Sequence, residues 1–299
     1  MDFRQLEVFA AVVELSSFSR AGERLYLSQP TVSAHVSSLE KELGVPLIIR
    51  NTREIYPSEA GQKLYDYAVK LLRLREEAME QVGAHGQPQH GIIDIAASSI
   101  PAKHILPALI SGFREQYPGV TFNVIPCDSS RVHKVLAEGK AKVGFGGAMM
   151  DTDQCSHSPI AKDRLVIITP DNDHFRKLAN DKNSFASLLK EPFIMRPVGS
   201  GTRYEFEQYL QRQGHRIPLT VVAEMADTEA IKNSVSANMG VAAISARAAE
   251  DAVNYGKLLI FPLPGNAERD LYLIRRKKDR LAERERMFCA YVLSQVGKL

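Results

Sequence analysis

"SQPTVSAHVSSLEKELG", Ser28 to Gly44, decides how the front of this chain folds. Ser28 is a strong N-cap residue, and Pro30 is tolerated in a first helical turn, where its missing N–H is not needed. Val32, Val36, Leu39 and Leu43 step by four, three and four, which predicts one buried helical face. Thr31, Ser33, Ala34, His35 and Ser38 fall largely on the other faces, and Gly44 stops the helix. Upstream, Asp2 caps a helix with Gln5 reaching back, and Phe3, Leu6, Phe9, Ala10 and Val13 recur at helical spacing. Ser17-Phe18-Ser19 breaks that helix and caps a short second one ending near Leu25.

Two short helices joined by a tight turn, the second opening on small polar residues, form a helix-turn-helix pattern. The second helix must lie in the major groove, so its first side chains must be short enough to approach base edges. The pattern offers Ser28, Gln29, Pro30, Thr31, Ser33 and His35 as DNA contacts, with the polar solvated face of an ordinary helix as the other reading. Gln29 can bond an adenine edge twice, while Ser and Thr often serve phosphates. "LIIRNTREIYP" reads as a small β-hairpin whose Arg50 and Arg53 suit phosphate or minor-groove contact. The first 60 residues hold six Lys/Arg against eight Asp/Glu. DNA affinity must then come from placement and dimerisation, because bulk charge does not supply it.

From Ser58 to about Val82 the pattern is one long helix. Leu64, Leu71 and Ala78 are seven apart, as are Ala60, Tyr67 and Leu74, which is about three heptads of a seam that needs a partner chain. "GAHGQPQHG", Gly83 to Gly91, reads as a hinge. The expected division is residues 1–57 for DNA binding, 58–87 for pairing and hinge, and 88–299 for a ligand-binding domain.

With 299 residues, two or more domains are expected, and 44% hydrophobic and 24% charged content fits a soluble globular chain. No apolar run suits a membrane span, and the N-terminus carries an acid where a signal peptide would be basic. Cys127, Cys155 and Cys289 are scattered and odd in number, so neither a disulfide frame nor a metal site is expected, and the expected location is the cytoplasm. The net charge of +3 permits nucleic-acid binding without demanding it.

The last two hundred residues alternate strand and helix: strands at 92–97, 120–125, 142–146, 164–169, 220–223, 240–244 and 270–274, with helices between. That predicts an α/β domain with mainly parallel strands in two lobes, with ligands bound beyond the strand ends, where helix N-termini point. "RRKKDR", 275–280, reads as a solvated loop between a strand and a helix. Several turns carry hydroxyls at helix starts: Ser98-Ser99-Ile100, Asp128-Ser129-Ser130, Gly199-Ser200-Gly201-Thr202 and Asp227-Thr228, with Gly147 after a further strand. Helix dipoles and exposed N–H groups favour an anion there. Arg196 or Arg203 can supply the countercharge. The predicted effector residues are Ser98, Ser99, Ile100, Ser129, Gly147, Gly199, Ser200, Gly201, Thr202, Arg203 and Asp227.

The chain resembles the LysR-type transcriptional regulators. The match is densest from Phe9 to Arg50, "FxxVxExxSFSxAxExLxLSQPTVSxHVxxLExELGVPLIxR", and at "PSEAG", Pro57 to Gly61. Many members carry Arg where Ala34 sits, and here an Ala would meet a thymine methyl instead. The resemblance implies a winged helix-turn-helix, a linker helix that pairs chains, and a two-lobed α/β effector domain like periplasmic binding proteins. Lobe I would span about 91–161 and 268–299, and lobe II about 162–267. It further implies a homodimer or homotetramer on operator DNA, RNA polymerase as a further partner, no cofactor and no enzymatic activity. The G-S-G-T-R loop at 199–203 resembles that of members binding sulfate-like or sulfite-like oxyanions. This points to a sulfur- or selenium-type oxyanion, with a small carboxylate as the alternative. The rival class is an enzyme or a periplasmic-type anion-binding protein. Against it, the chain has no G-x-x-x-x-G-K-[ST], G-x-S-x-G or H-E-x-x-H motif.

Overall fold

The computed structural model describes residues 1–50, 55–82, 90–149, 153–181, 184–215, 218–254, 256–265 and 267–298, with side chains at 73, 76, 77, 80–82, 253 and 254 set aside. Arg53, the hairpin tip and residues 83–89 of the expected hinge lie outside the described residues. The chain forms two compact units, Met1–Gly86 and Gln87–Leu299.

In the first unit, α1 (Phe3–Leu15) starts on a full capping box between Asp2 and Gln5 and ends where Ser16 turns left-handed. Ser17 caps α2 (Phe18–Leu25), and Ser28 caps α3 (Gln29–Leu43), which stops at Gly44. Val8, Phe9, Val12, Ala21, Val32, Val36 and Leu39 close the core between the three helices. Leu43, expected on that face, is 41% exposed, because the last turn of α3 runs past the end of the core. Strands β1 (Ile48–Arg50) and β2 (Ile55–Pro57) pair antiparallel. The Glu40 carboxylate accepts from the Leu47 and Ile48 N–H groups at 2.7 and 3.0 Å, which ties this hairpin to α3.

The long helix α4 (Glu59–Val82) begins at the "PSEAG" turn. The Ser58 hydroxyl donates to the Pro46 carbonyl at 2.6 Å and accepts from the Gly61 N–H at 3.0 Å. A Cβ at Gly61 would run into the Leu47 carbonyl, so only glycine permits this approach. Ala60, Leu64 and Tyr65 pack on the three-helix core, and Ala68 is buried as well. The expected seam is corrected accordingly: its first members serve the unit's own core. The exposed apolar stripe consists of Tyr67 (64% exposed), Leu71, Leu74 (62% exposed), Ala78 and Met79.

In the second unit, β3 (Gly91–Ala97) leads through a π turn, Pro101–Ile105, into α5 (Leu106–Gln116). There follow β4 (Val120–Pro126), α6 (Ser129–Ala137), β5 (Val143–Gly146) and β6 (Cys155–Pro170). Next come α7 (Asp173–Leu178), α8 (Ser184–Leu188), β7 (Phe193–Met195), α9 (Gly201–Arg212), β8 (Val221–Glu224) and α10 (Thr228–Ser236). The unit ends with β9 (Ala242–Ser245), α11 (Ala246–Asn254), β10 (Leu258–Pro262), β11 (Glu268–Arg276) and α12 (Glu283–Ser294).

The main sheet has the order β10-β6-β11-β5-β3-β4, with β9 also on β6. Strand β3 pairs parallel with β4 and β5, and β7 pairs parallel with β8. The sheet is nevertheless mixed, which corrects the mainly parallel expectation. The long strands β6 and β11 run antiparallel to each other from Cys155/Arg276 to Arg164/Glu268. One strand carries the chain from the first half to the second and the other carries it back, so side by side they must oppose. The expected lobe boundary at 161/162 falls inside β6. Ile95, Phe113, Phe145 and Phe288 anchor the larger core, and Leu165, Ile167, Phe193, Phe206 and Tyr209 a second one.

Candidate functional site

Two groups of residues carry functional chemistry, one in each unit. In the first, Ser28, Gln29, Pro30 and Thr31 are exposed at the start of α3, while Ser33 and His35 are half-buried on its flanks. Thr31 is tied to the cap: its hydroxyl lies 2.7 Å from that of Ser28 and its N–H donates to it at 3.3 Å. Arg50 donates to the Ser33 hydroxyl at 3.3 Å, and its guanidinium lies 4.5 Å from the centre of the Phe18 ring. Cation–π contact and hydrogen bond together hold this cation beside α3.

In the second unit, Ser98, Ser99, Ile100, Asp128, Ser129, Gly147, Arg196, Ser200, Gly201, Thr202 and Arg269 line one cleft. The free space between these residues is about 10 Å³, room for about one water, so the two walls stand nearly closed on each other. Ser98 directly follows β3, and its N–H donates to the Phe145 carbonyl at 2.9 Å. Ser129 opens α6, and Ser200 stands at the N-cap of α9 without making a side-chain cap bond. A Cβ at Gly201 would stand 2.5 Å from the Ser129 hydroxyl, so glycine lets the two helix starts face each other closely. The Ser130 N–H donates to the Gly199 carbonyl at 3.3 Å across the same gap.

Two arginines are buried in the wall. Arg196, 5% exposed, donates through Nη1 to Thr228 at 2.9 Å and through Nη2 to Ser99 at 3.2 Å. Its Nε has no partner, and it makes no ion pair among the described residues. Burial pushes its pKa down, against the pull of Asp128 and Asp227. Arg269, 6% exposed, is held by Asp163 through Nε and Nη2 at 2.8 and 2.7 Å, and Asp163 also accepts from Ser245 at 2.6 Å. Nη2 of Arg269 reaches Thr202 at 3.3 Å, while its Nη1 is buried without a partner. Two buried cationic donors without a partner thus stand beside hydroxyls and helix starts in one wall.

The structure thus brings together Ser98, Ser99, Ile100, Ser129, Gly147, Ser200, Gly201 and Thr202, and leaves three predicted residues out of the lining. Arg203 turns away, pairing with Glu207 and Glu224 at 2.8 Å each and donating to the Arg196 carbonyl at 3.1 Å. Asp227 spends its carboxylate on capping α10 and on Lys103 at 3.2 Å. Gly199 lies at the contact with Ser130. Arg269 and Asp128 were missed as lining residues. The signal for Arg269 is its register: it stands directly opposite Asp163 across β6 and β11. "RRKKDR" is only partly the expected loop: Arg275 and Arg276 end β11, paired with Ser156 and Cys155, and 277–280 lead towards α12, with Arg276 and Asp279 3.6 Å apart. Burial pushes Cys127 up to about 11 and Cys289 up to about 12, so neither is a poised thiolate. No helix is long and apolar enough to cross a membrane, and no group of three or more potential ligands is placed for a metal among the described residues.

The family of bacterial regulatory helix-turn-helix proteins of LysR type matches residues 3–62, and the LysR substrate binding domain matches residues 86–297. The chain belongs to the LysR family of transcriptional regulators. An uncharacterized HTH-type transcriptional regulator of Methanocaldococcus jannaschii is 33% identical over 96% of both chains. The HTH-type transcriptional activator CmpR of Synechocystis is 30% identical over 97% of this chain and 94% of its own. Full-length CbnR, solved in complex with its target DNA, shares the fold with a TM-score of 0.72 at 21% identity, covering 100% of this chain and 99% of CbnR. The relatives are named as regulators, and this LysR-type chain is a transcriptional regulator with an effector-binding domain, not an enzyme.

Proposed function

We propose that this regulator is controlled by a small anion held in the cleft between α6 and α9. The observation that carries the reading is Arg196: buried, without an ion-pair partner, and with its Nε unsatisfied in a wall of hydroxyls. Leaving such a charge buried and unpaired is costly unless a ligand answers it. Serine and threonine hydroxyls from several directions suit the all-round acceptors of a sulfur- or selenium-type oxyanion, and a small carboxylate is the competing ligand. Ser98, Ser99, Ser129, Ser200, Thr202 and Arg269 are the further ligand contacts in this reading.

Two copies pair through the α4 stripe and set two α3 helices on a pseudo-palindromic operator. Ser28, Gln29, Pro30, Thr31, Ser33, His35, Arg50 and Arg53 face the DNA. The ligand acts by binding one arrangement of the oligomer better than another. The test is thermal unfolding with sulfite, selenite, thiosulfate, sulfate, phosphate and small carboxylates. At least one anion raises Tm of the wild type, and Arg196→Gln removes that shift while leaving the free protein as stable or more so. A full shift retained in Arg196→Gln sinks the assignment.

A further inference from the structure

Asp128 lines the same cleft, one residue before Ser129. It occupies the N-cap position of α6, yet its carboxylate makes no cap bond, and no hydrogen bond or ion pair engages it among the described residues. It is half-buried, and it stands near enough to Arg196 to favour that residue's charged form. The cleft therefore pairs a cationic side, Arg196 and Nη1 of Arg269, with a carboxylate that no donor among the described residues engages.

A fully ionised oxyanion offers only lone pairs. Against Asp128 it meets a like charge with no proton between them, and like charges brought together in a confined site repel. An anion with an O–H or N–H can donate to Asp128 and turn its remaining oxygens to the arginines and hydroxyls, making charge-assisted bonds on both sides. We propose that Asp128 selects the effector by requiring a proton donor on the anion. This rests on the anion reading of the cleft and narrows it. Hydrogensulfite, hydrogenselenite, hydrogenphosphate and hydroxy acids satisfy the requirement, whereas sulfate does not.

The experiment is calorimetric titration of the full chain with two matched pairs, inorganic phosphate against sulfate and lactate against propionate. Within each pair, size and shape are close and the donor differs. In the pair that binds, the donor-bearing member is tighter by at least about tenfold, as expected where a site's polar group is left unpaired by the analogue. Asp128→Asn, which can donate as well as accept, narrows or reverses that preference. Equal affinity within the pairs, or a preference unchanged in Asp128→Asn, overturns the proposal and leaves the anion reading standing. If none of the four binds the folded wild type, the proposal falls, and the anion reading is decided by the wider thermal panel. The wild-type comparison decides the matter even if Asp128→Asn fails to fold.

Discussion

Asp163 and Arg269 face each other on adjacent antiparallel strands with almost no exposure, and Arg269 forms part of the cleft wall. Removing one partner of such a pair leaves a charge buried alone. Asp163→Ala is expected to lower unfolding free energy by about 3–5 kcal/mol. Asp163→Leu with Arg269→Met should recover most of that loss, since apolar pairs of similar volume often replace buried ion pairs without penalty. Urea unfolding of both variants measures this, and a loss below about 1 kcal/mol in Asp163→Ala would refute the buried pair. Local sequence signals found the hydroxyls and glycines of the cleft, because helix starts have a local signature. They did not find Arg269 as a lining residue, because its role depends on the register of two strands far apart in the chain. Arg203 shows the converse. Its neighbourhood reads as a ligand loop, but Glu207 one turn on and Glu224 on β8 take its guanidinium.

At the scale of elements, helices with a polar face and a cap were legible nearly to the residue: α1, α2 and α3 begin where their caps place them, whereas α9, expected from about Arg203, begins at Gly201 without a side-chain cap bond. Strand β6 was legible only in its apolar second half. Its first residues, "CSHSPIAKD", alternate poorly because that half runs beside β11 as a crossing strand with much of its surface half-exposed. The heptads of α4 were visible, but periodicity does not say which part of a stripe its own domain consumes. What remains bare is Tyr67, Leu71, Leu74 and Ala78. Leu71→Glu with Leu74→Glu is expected to weaken self-association while leaving helix content unchanged, because both side chains are solvent-facing within this chain. Sedimentation velocity reads the mass, and an oligomer equal to wild type at micromolar concentration would place the pairing surface elsewhere.

For the whole molecule, the change of period, from the four-three steps of the first helices to alternating strand and helix, and the Gly- and Gln-rich stretch between them point to two parts, and the chain forms the units Met1–Gly86 and Gln87–Leu299. The mixed sheet did not follow, since strand direction depends on how the chain passes between halves. That passage also governs how the second unit works in time. The Ser130 N–H bonded to the Gly199 carbonyl, with Gly201 against Ser129, brings the two sides of the cleft into contact. On the proposed reading of the cleft, a ligand must wait for this seam to part before it enters. Capture is then a gated step: the observed association rate should climb with ligand concentration and level off at the opening rate, with one plateau shared by every ligand that fits. Stopped-flow measurements with two different ligands test this, and rates that keep rising in proportion to concentration would mean that the door stands open.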